Sequence, residues 1–418
     1  MSRKYHPMGT FGEATDPIDG ARIAARLDDL WSIALGPGGG ADRPAYSEAE
    51  AAGMRLVAAW AREAGLPVAL DRDGNLWALP DGDGRVVTSG SHVDTVPDGG
   101  RYDGALGTVL ALEAAIALPG RAGVLVCAAE EAPRFGAGTV GSRLMVGTLA
   151  EAALEDLRDV AGVTAAAARA EFLAALDDLP RLDGPPPLAR IAAHVEVHIE
   201  PRHELRGRGA RLGVVDRIAA PHRHELTVDG EAGHAGEVMM ADRHDALAAA
   251  AEIVLALEAA AREQARRDPA TVATVGRLEV EPGAISVIPA RVRAALEVRG
   301  IDAGAIAAVE AALDDAGAGV AERRGVTVTR RLLRGGDPIA LDAALADRAF
   351  AAAERRGLAP VRTYSGAGHD AGHLAAHVPA GLLFVPLAGG QSHTPHETAD
   401  AADVLAAGRV LVDVLGDN

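Results

Sequence analysis

Apolar positions recur along this chain at two spacings. In residues 20–35 and 47–64 they return every three to four positions, which predicts two amphipathic helices separated by the loop GPGGGADRPAY. Three short extended runs follow, Pro67–Leu70, Asn75–Leu79 and Arg85–Ser89, broken by the turn sequences DRDGN and PDGDG. A helical pattern over 104–118 leads into Gly123–Ala129, which has the look of a buried strand. This alternation predicts an α/β domain with a mainly parallel sheet flanked by helices. Residues 150–185 are Ala-rich with helical spacing and stop at the breaker GPPP (184–187), and a strand over 191–199 alternates clearly.

From about Gly213 the character changes. A strand over His224–Val228, a long helix over 243–266, strands over Thr271–Val280 and Arg291–Arg299, a helix over 303–317 and a strand over Val326–Leu332 make a compact α+β set. After Gly335 and Gly336 come a helix over 341–357, a strand over 381–385 and a last helix over 400–415. The organisation read from this is a catalytic domain in two pieces, 1–212 and 333–418, interrupted by a smaller inserted domain over 213–332.

Composition narrows the class. Apolar residues make up 49 % of the 418-residue chain, so burial is not limiting, but aromatics are only 3 % and the cores must be built from Ala, Leu and Val. A net charge of −18 repels phosphate backbones and anionic membranes, which argues against nucleic acid and membrane as partners. No run reaches the roughly 20 apolar residues of a membrane span, and the start, MSRKYHPMGTFGEATDPIDG, has no apolar leader core, so a cytoplasmic globular protein is expected. Cys127 is the only cysteine, which leaves no internal disulfide framework and no Cys-rich zinc site.

Five segments place acids and histidines beside strand ends and Gly-rich turns: SGSHVDTVPDGGRYDGALG (89–107), VLVCAAEEAPRFG (124–136), HVEVHIE (194–200), SGAGHDAGH (365–373) and GGQSHTPHE (389–397). Open α/β sheets place their sites just beyond strand C-termini. Hydrolysing an amide or ureide at neutral pH needs a hydroxide-like nucleophile and a polarised carbonyl, and a pair of divalent ions supplies both. Histidines with a bridging carboxylate hold such a pair. A free carboxylate nearby moves the proton. Glu130 and Glu131 are adjacent and diverge on an extended chain, so one can bind metal while the other faces substrate. His194, His203, His222, His224, His244, His373 and His396 are left as surface or supporting residues. No G-x-x-x-x-G-K-[ST] loop is present, which argues against a nucleotide triphosphate site.

Nearly the whole chain resembles the hydantoinase/carbamoylase branch of the M20 metallopeptidase-like amidohydrolases. The resemblance runs in order through GPGGGADRPAYS, DRDGN, SGSHVDT, GGRYDGALG, EEAPRFG, HIE, GEAGHAG, IPARVRAALEVRG, SGAGHDA and GQSHTPHE. It implies two divalent ions per chain (Zn, Mn, Co or Ni) on His92, Asp103, Glu131, His198 and His393, with Asp103 bridging. It implies Glu130 as general acid/base, Asp94 as the acid that orients His92, and His234 as the donor to the developing oxyanion, in the partner subunit's site. Arg299 would grip a substrate carboxylate, and Gly368 would offer a backbone contact. The inserted domain would be a lid that also joins a homodimer, and the substrate a small molecule carrying a carboxylate.

Three places depart from the pattern of that family. Pro201 stands where HIEQG has a substrate-binding glutamine, Ser286 replaces an asparagine, and Glu237–Met240 replace a T-P-M step. The expected activity is cleavage of the carbamoyl C–N bond of an N-carbamoyl-L-amino acid, with a related N-acyl amino acid, amide or allantoate-like ureide as the alternative. A non-catalytic relative would most simply have lost Glu130 or a ligand, and neither loss is seen.

Overall fold

The structure is a computed structural model that describes residues 17–417. Most of the stretch read as free of a leader lies outside the described residues. The described chain forms two compact units. Residues 17–216, 340–363 and 368–417 make the first, and 217–339 with 364–367 make the second.

Strands β1 (Val68–Leu70), β2 (Leu76–Ala78), β3 (Val86–Ser89), β4 (Ala122–Val126), β5 (Ile191–Ile199) and β6 (Gly213–Ile218) precede the second unit. That unit carries β7 (Ala220–Asp229), β8 (Gly233–His234), β9 (Val272–Glu281), β10 (Val287–Ile288), β11 (Arg291–Gly300) and β12 (Thr327–Arg334). Then come β13 (Ile339–Ala340), β14 (Val361–Ser365), β15 (Ala380–Val385), β16 (Leu387–Gly389) and β17 (Thr398–Ala399). The large sheet runs β1-β2-β4-β3-β5-β15-β6-β13, with β14 against β6. Its centre, β4-β3-β5-β15, is parallel throughout, and antiparallel strands flank it on both sides. This is an α/β architecture with a mainly parallel sheet. The central strands AGVLV and AGLLFV are buried at every position, as parallel strands covered on both faces must be.

Helices α1 (Gly20–Trp31), α2 (Glu48–Glu63), α3 (Ala105–Ala117), α4 (Val140–Met145), α5 (Ala165–Ala175) and α6 (Glu204–Gly207) belong to the first unit. Helices α7 (Ala246–Ala265) and α8 (Ala303–Arg324) belong to the second, and α9 (Ala343–Arg355), α10 (Asp370–Leu374) and α11 (Ala401–Gly416) to the first again. Helix α3 is apolar nearly all round and buried along most of its length, the pattern of an interior helix. Its one charged residue, Glu113, is met by Arg22 and Arg26 from α1. Leu27, Met54, Leu106, Val124, Val195 and Leu411 join one continuous core.

The second unit is an antiparallel sheet of order β12-β7-β11-β9. Buried residues of α7 and α8 close over it: Ile253 and Leu257 from one, Val309 and Leu313 from the other, against Leu226, Val228, Leu296 and Val298. The first unit's chain breaks off after Asp216 and resumes at Ala340, and there Leu341 N donates to Asp216 O at 3.0 Å.

The long helical reading of 150–185 is corrected. Only α5 and a single 3-10 turn over Glu151–Glu155 form there. Asp159 accepts from the amides of Ala161 and Val163, and Thr164 caps α5, so short polar side chains win the backbone from the helix. Helix α8 runs on to Arg324, past the expected 317, and stops where Gly325 takes φ 64. Among the described residues no helix is long and apolar enough to cross a membrane.

Candidate metal centre

Most acids and histidines that drew attention in the sequence gather at or beyond the ends of the sheet's strands. His92 and Asp94 follow β3, Glu130 and Glu131 follow β4, His198 is the penultimate residue of β5, and His393 lies in the turn between β16 and β17. Asp103 sits just before α3, where Gly104 takes φ 63. A Cβ on Gly104 would lie 2.4 Å from the His92 ring, so only glycine lets that ring reach Asp103.

Asp103 is shared. Its Oδ1 lies 3.5 Å from His92 Nε2 and 3.1 Å from His198 Nε2. Its Oδ2 lies 3.3 Å from His393 Nε2, which is 3.6 Å from Glu131 Oε1. Two sets of donors, His92–Asp103–His198 and Asp103–Glu131–His393, therefore meet at one carboxylate. Two ligand atoms each bound near 2.1 Å to a tetrahedral ion stand about 3.4 Å apart, and all four separations are close to that value.

The outer ring nitrogens are also arranged for ligation. His198 Nδ1 donates to Ile199 O at 2.9 Å. His92 Nδ1 faces both Asp94 O at 3.1 Å and Asp94 Oδ1 at 3.3 Å. Each Nε2 is thereby left as the basic nitrogen, the usual device for fixing a ligand histidine. Residues with these donors and spacings fit a divalent pair.

Burial opposes charge on Asp103, yet His198, His393 and His92 hold it well below the usual carboxylate range. Burial opposes protonation of His92 as well, and Glu130, Asp103 and Asp94 overcome it, raising the imidazole well above its ordinary value. The hydrogen bond to Asp103 brings His393 up to about 9. Burial, with Asp103 beside it, pushes Glu131 up to about 7. Burial also lifts Glu130 well above the carboxylate range, with Glu131 adding to it.

Several participants were not singled out in the sequence. Glu397 accepts from the amides of Tyr102 and Asp103 at 2.7 and 3.1 Å and fixes the segment carrying the shared acid. A Cβ on Gly100 would lie 2.2 Å from the Glu397 carboxyl, which explains the GGRYDG spelling. Ser392 Oγ donates to Asp103 Oδ2 at 3.0 Å. His369 packs edge-on against His198, with centroids 4.7 Å apart, and burial holds its pKa well below the ordinary value. Its only sequence signal was its place in SGAGHDAGH.

The remaining expected residues are not brought into this cluster within the first unit. Gly368 is exposed, and Pro201 follows β5 with no side-chain amide to offer. In the second unit, His234 is exposed and its Nδ1 accepts from Gly236 N at 3.1 Å. Ser286 O accepts from Ala235 N, so those two segments are neighbours. Arg299 has a sequence-local acid: its Nε lies 3.0 Å from Glu297 Oε1, and Nη1 donates to Gly366 O. Among the histidines set aside, His194 and His224 prove fully buried rather than superficial, the first bonded to Thr88 and the second to Glu310.

Comparison with known proteins gives a consistent picture. The family model described as peptidase family M20/M25/M40 matches residues 89–417. The chain is 36 % identical over 404 residues to the N-carbamoyl-L-amino acid amidohydrolase of Geobacillus stearothermophilus, covering 94 % of this chain and 97 % of that one. It is 33 % identical over 427 residues to the ureidoglycolate hydrolase of Arabidopsis thaliana, covering 97 % and 89 %. A solved amidase of the hydantoinase/carbamoylase family from Burkholderia phymatum superposes with a TM-score of 0.83 at 30 % identity, over 97 % of this chain and all of that one.

Uptake of a divalent cation near pH 7 should release protons, because His92 and His393 must give theirs up to ligate. Calorimetry in buffers of different ionisation enthalpy reads the number released. Protons compete with the cation, so apparent affinity should climb with pH towards about 9, where His393 loses its proton. Asp103→Ala should lower uptake at both donor sets together. A buffer-independent heat with a flat pH profile would exclude these imidazoles as ligands.

Proposed function

The chain belongs to peptidase family M20/M25/M40, and from that premise we propose that it is a metal-dependent amidohydrolase cleaving the carbamoyl C–N bond of an N-carbamoyl-L-amino acid. One observation carries the reading. Two donor sets share Asp103, while Glu130, a member of neither, holds its Oε2 3.8 Å from His92 Nε2.

Bound divalent cations would polarise the carbonyl and acidify the attacking water. Glu130 does the proton work. Its raised pKa lets the carboxylate take a proton from water as oxygen bonds to the carbonyl carbon, then pass that proton to the nitrogen as the C–N bond breaks. His92, His198, Glu131 and His393 act as ligands, and Asp94 sets the orientation of His92. We assign His234 to the oxyanion, through the lid of a homodimer partner. Its Nδ1 accepts a backbone N–H, so the neutral ring carries its proton on Nε2 and is a donor there.

A second reading, hydrolysis of an N-acyl amino acid, amide or ureide, is favoured by Pro201 and Ser286, which lack the amide side chains of the family pattern.

Glu130→Gln should keep its metal and its KM while kcat falls by about 10²–10⁴. Metal analysis beside steady-state kinetics checks this, and equal metal loss in Glu130→Gln and Glu131→Gln would contradict the division of labour.

Mixed dimers of Glu130→Gln and His234→Ala chains should regain up to half of the wild-type rate, since one of their two sites carries neither defect. Verified mixed dimers that stay inactive would remove His234 from the partner's chemistry.

On a panel of N-carbamoyl, formyl and acyl amino acids and ureides, read as released ammonia or amine, the carbamoyl compounds should lead. Arg299→Lys should lower kcat/KM sharply for substrates with a carboxylate and far less for their amides, because lysine lacks the paired donors of guanidinium. Equal losses on both would make Arg299 a structural partner of Glu297 alone.

A further inference from the structure

Beyond Cys127, whose amide donates to Ser91 O, the amides that follow β4 are held by side chains. Ala128 N donates to Asn75 Oδ1 at 3.0 Å and Ala129 N to Glu50 Oε1 at 2.8 Å. Glu130 N and Glu131 N donate to the two oxygens of Asp94 at 3.1 and 2.8 Å. On the other side, the carbonyls of Ala128, Ala129 and Glu130 accept from Gly141, Val140 and Thr139. Four successive amides are thus gripped by three residues drawn from separate segments of the chain.

Within this cradle Ala129 takes φ 53, a left-handed conformation that an L side chain adopts only when something holds it there. Glu50 is the residue in place to do so. It is fully buried, the third residue of α2, with Ser47 as the N-cap accepting from Glu50 N. The spelling S-x-x-E is that of a capping box, in which the glutamate returns to the cap residue's own amide. Here that amide donates to Pro44 O instead. The Glu50 carboxyl is diverted, one oxygen to Ala129 N and the other to Tyr46 N. Tyr46 is itself left-handed, at φ 52. One side chain therefore secures two unfavourable backbone positions, one of them directly before the proposed acid.

We propose that Glu50 is a positioning residue for Glu130: it holds Ala129 left-handed, so that Glu130 and Glu131 leave the strand end in different directions. This rests on the role given to Glu130 above. Asn75 is the second support, itself fixed by Asp71 at 2.9 Å and by Gly141 O at 3.1 Å, which gives the DRDGN turn a purpose beyond turning.

Glutamine is the discriminating replacement. Glu50→Gln keeps shape and volume, but its single acceptor oxygen can serve only one of the two amides, and its NH₂ is set against the other. The variant should bind metal as the wild type does at saturation and keep its KM within about twofold while kcat falls roughly 10–100-fold, the scale of a small misplacement of a reacting group. Adding Ala129→Gly should recover much of that loss, because glycine takes a positive φ without being held. A residue that merely caps α2 would lower the melting temperature and leave kcat alone, and that result overturns the proposal. A loss of kcat that Ala129→Gly does not relieve overturns it as well. If Glu50→Gln alone does not fold, recovery of folding in the double variant supports the proposal and its absence refutes it.

Hydrogen exchange at the amides of residues 128–131 gives a readout that needs no substrate. Faster exchange at Ala129 through Glu131 in Glu50→Gln is expected, and unchanged protection would sink the idea. Were the wild type inactive on every carbamoyl, ureido and acyl compound, the proposed function would fail, and exchange would still decide the part played by Glu50.

Discussion

A single buried carboxylate sets the terms for the first unit. Asp103 is only 4 % exposed, and an unpaired charge there would be untenable. Its two oxygens draw His92 and His198 to one side and His393 to the other. Each imidazole has to arrive from a different segment, so the ends of β3 and β5 and the turn between β16 and β17 must lie at the same level. Glu397 then fixes the backbone of Asp103 from below, and glycines at 100 and 104 clear the room that both approaches require. The sheet order that puts β3 between β4 and β5 is what makes this convergence geometrically available.

Residue type alone does not produce such a centre, as the second unit shows. His222, His224 and Glu310 also converge, with both imidazoles 2.8 Å from Glu310 Oε1. Yet Arg330 Nη1 lies 3.0 Å from His224 Nδ1, and His222 Nε2 faces Gly336 O at 2.9 Å. A guanidinium already supplies the positive charge, and the ring nitrogens are committed to the fold. The first unit differs in turning the Nε2 of three imidazoles toward one carboxylate, Asp103.

How much of this could be read beforehand follows from which signals are local. Strand ends followed by acids and histidines are local, so His92, Asp94, Asp103, Glu130, Glu131, His198 and His393 stood out in the chain. It was the resemblance to a known family that sorted them into roles. The apolar runs of β4 and β15 and the alternation of β5 were equally plain. Hidden from that reading was everything decided by a distant partner. Glu50 stands in the spelling of a capping box, yet its acceptor role depends on Ala129, far along the chain. His369 gave no sign of packing on His198. The Ala-rich stretch after 150 promised a long helix because alanine favours one anywhere, and the turn made by Asp159 carries no periodic mark.

The hydrogen bond from Leu341 to Asp216 bears on how this chain tolerates change in length. The residues flanking 217–339 are hydrogen-bonded to each other in the first unit, so that segment leaves and returns to the large sheet as one closed loop. The entropy of closing a loop grows only with the logarithm of its size, by about 0.6 kcal/mol per doubling. Elaboration or trimming between Arg217 and Ile339 therefore costs the sheet and its buried charges little. The first unit, by contrast, is constrained residue by residue around a shared carboxylate.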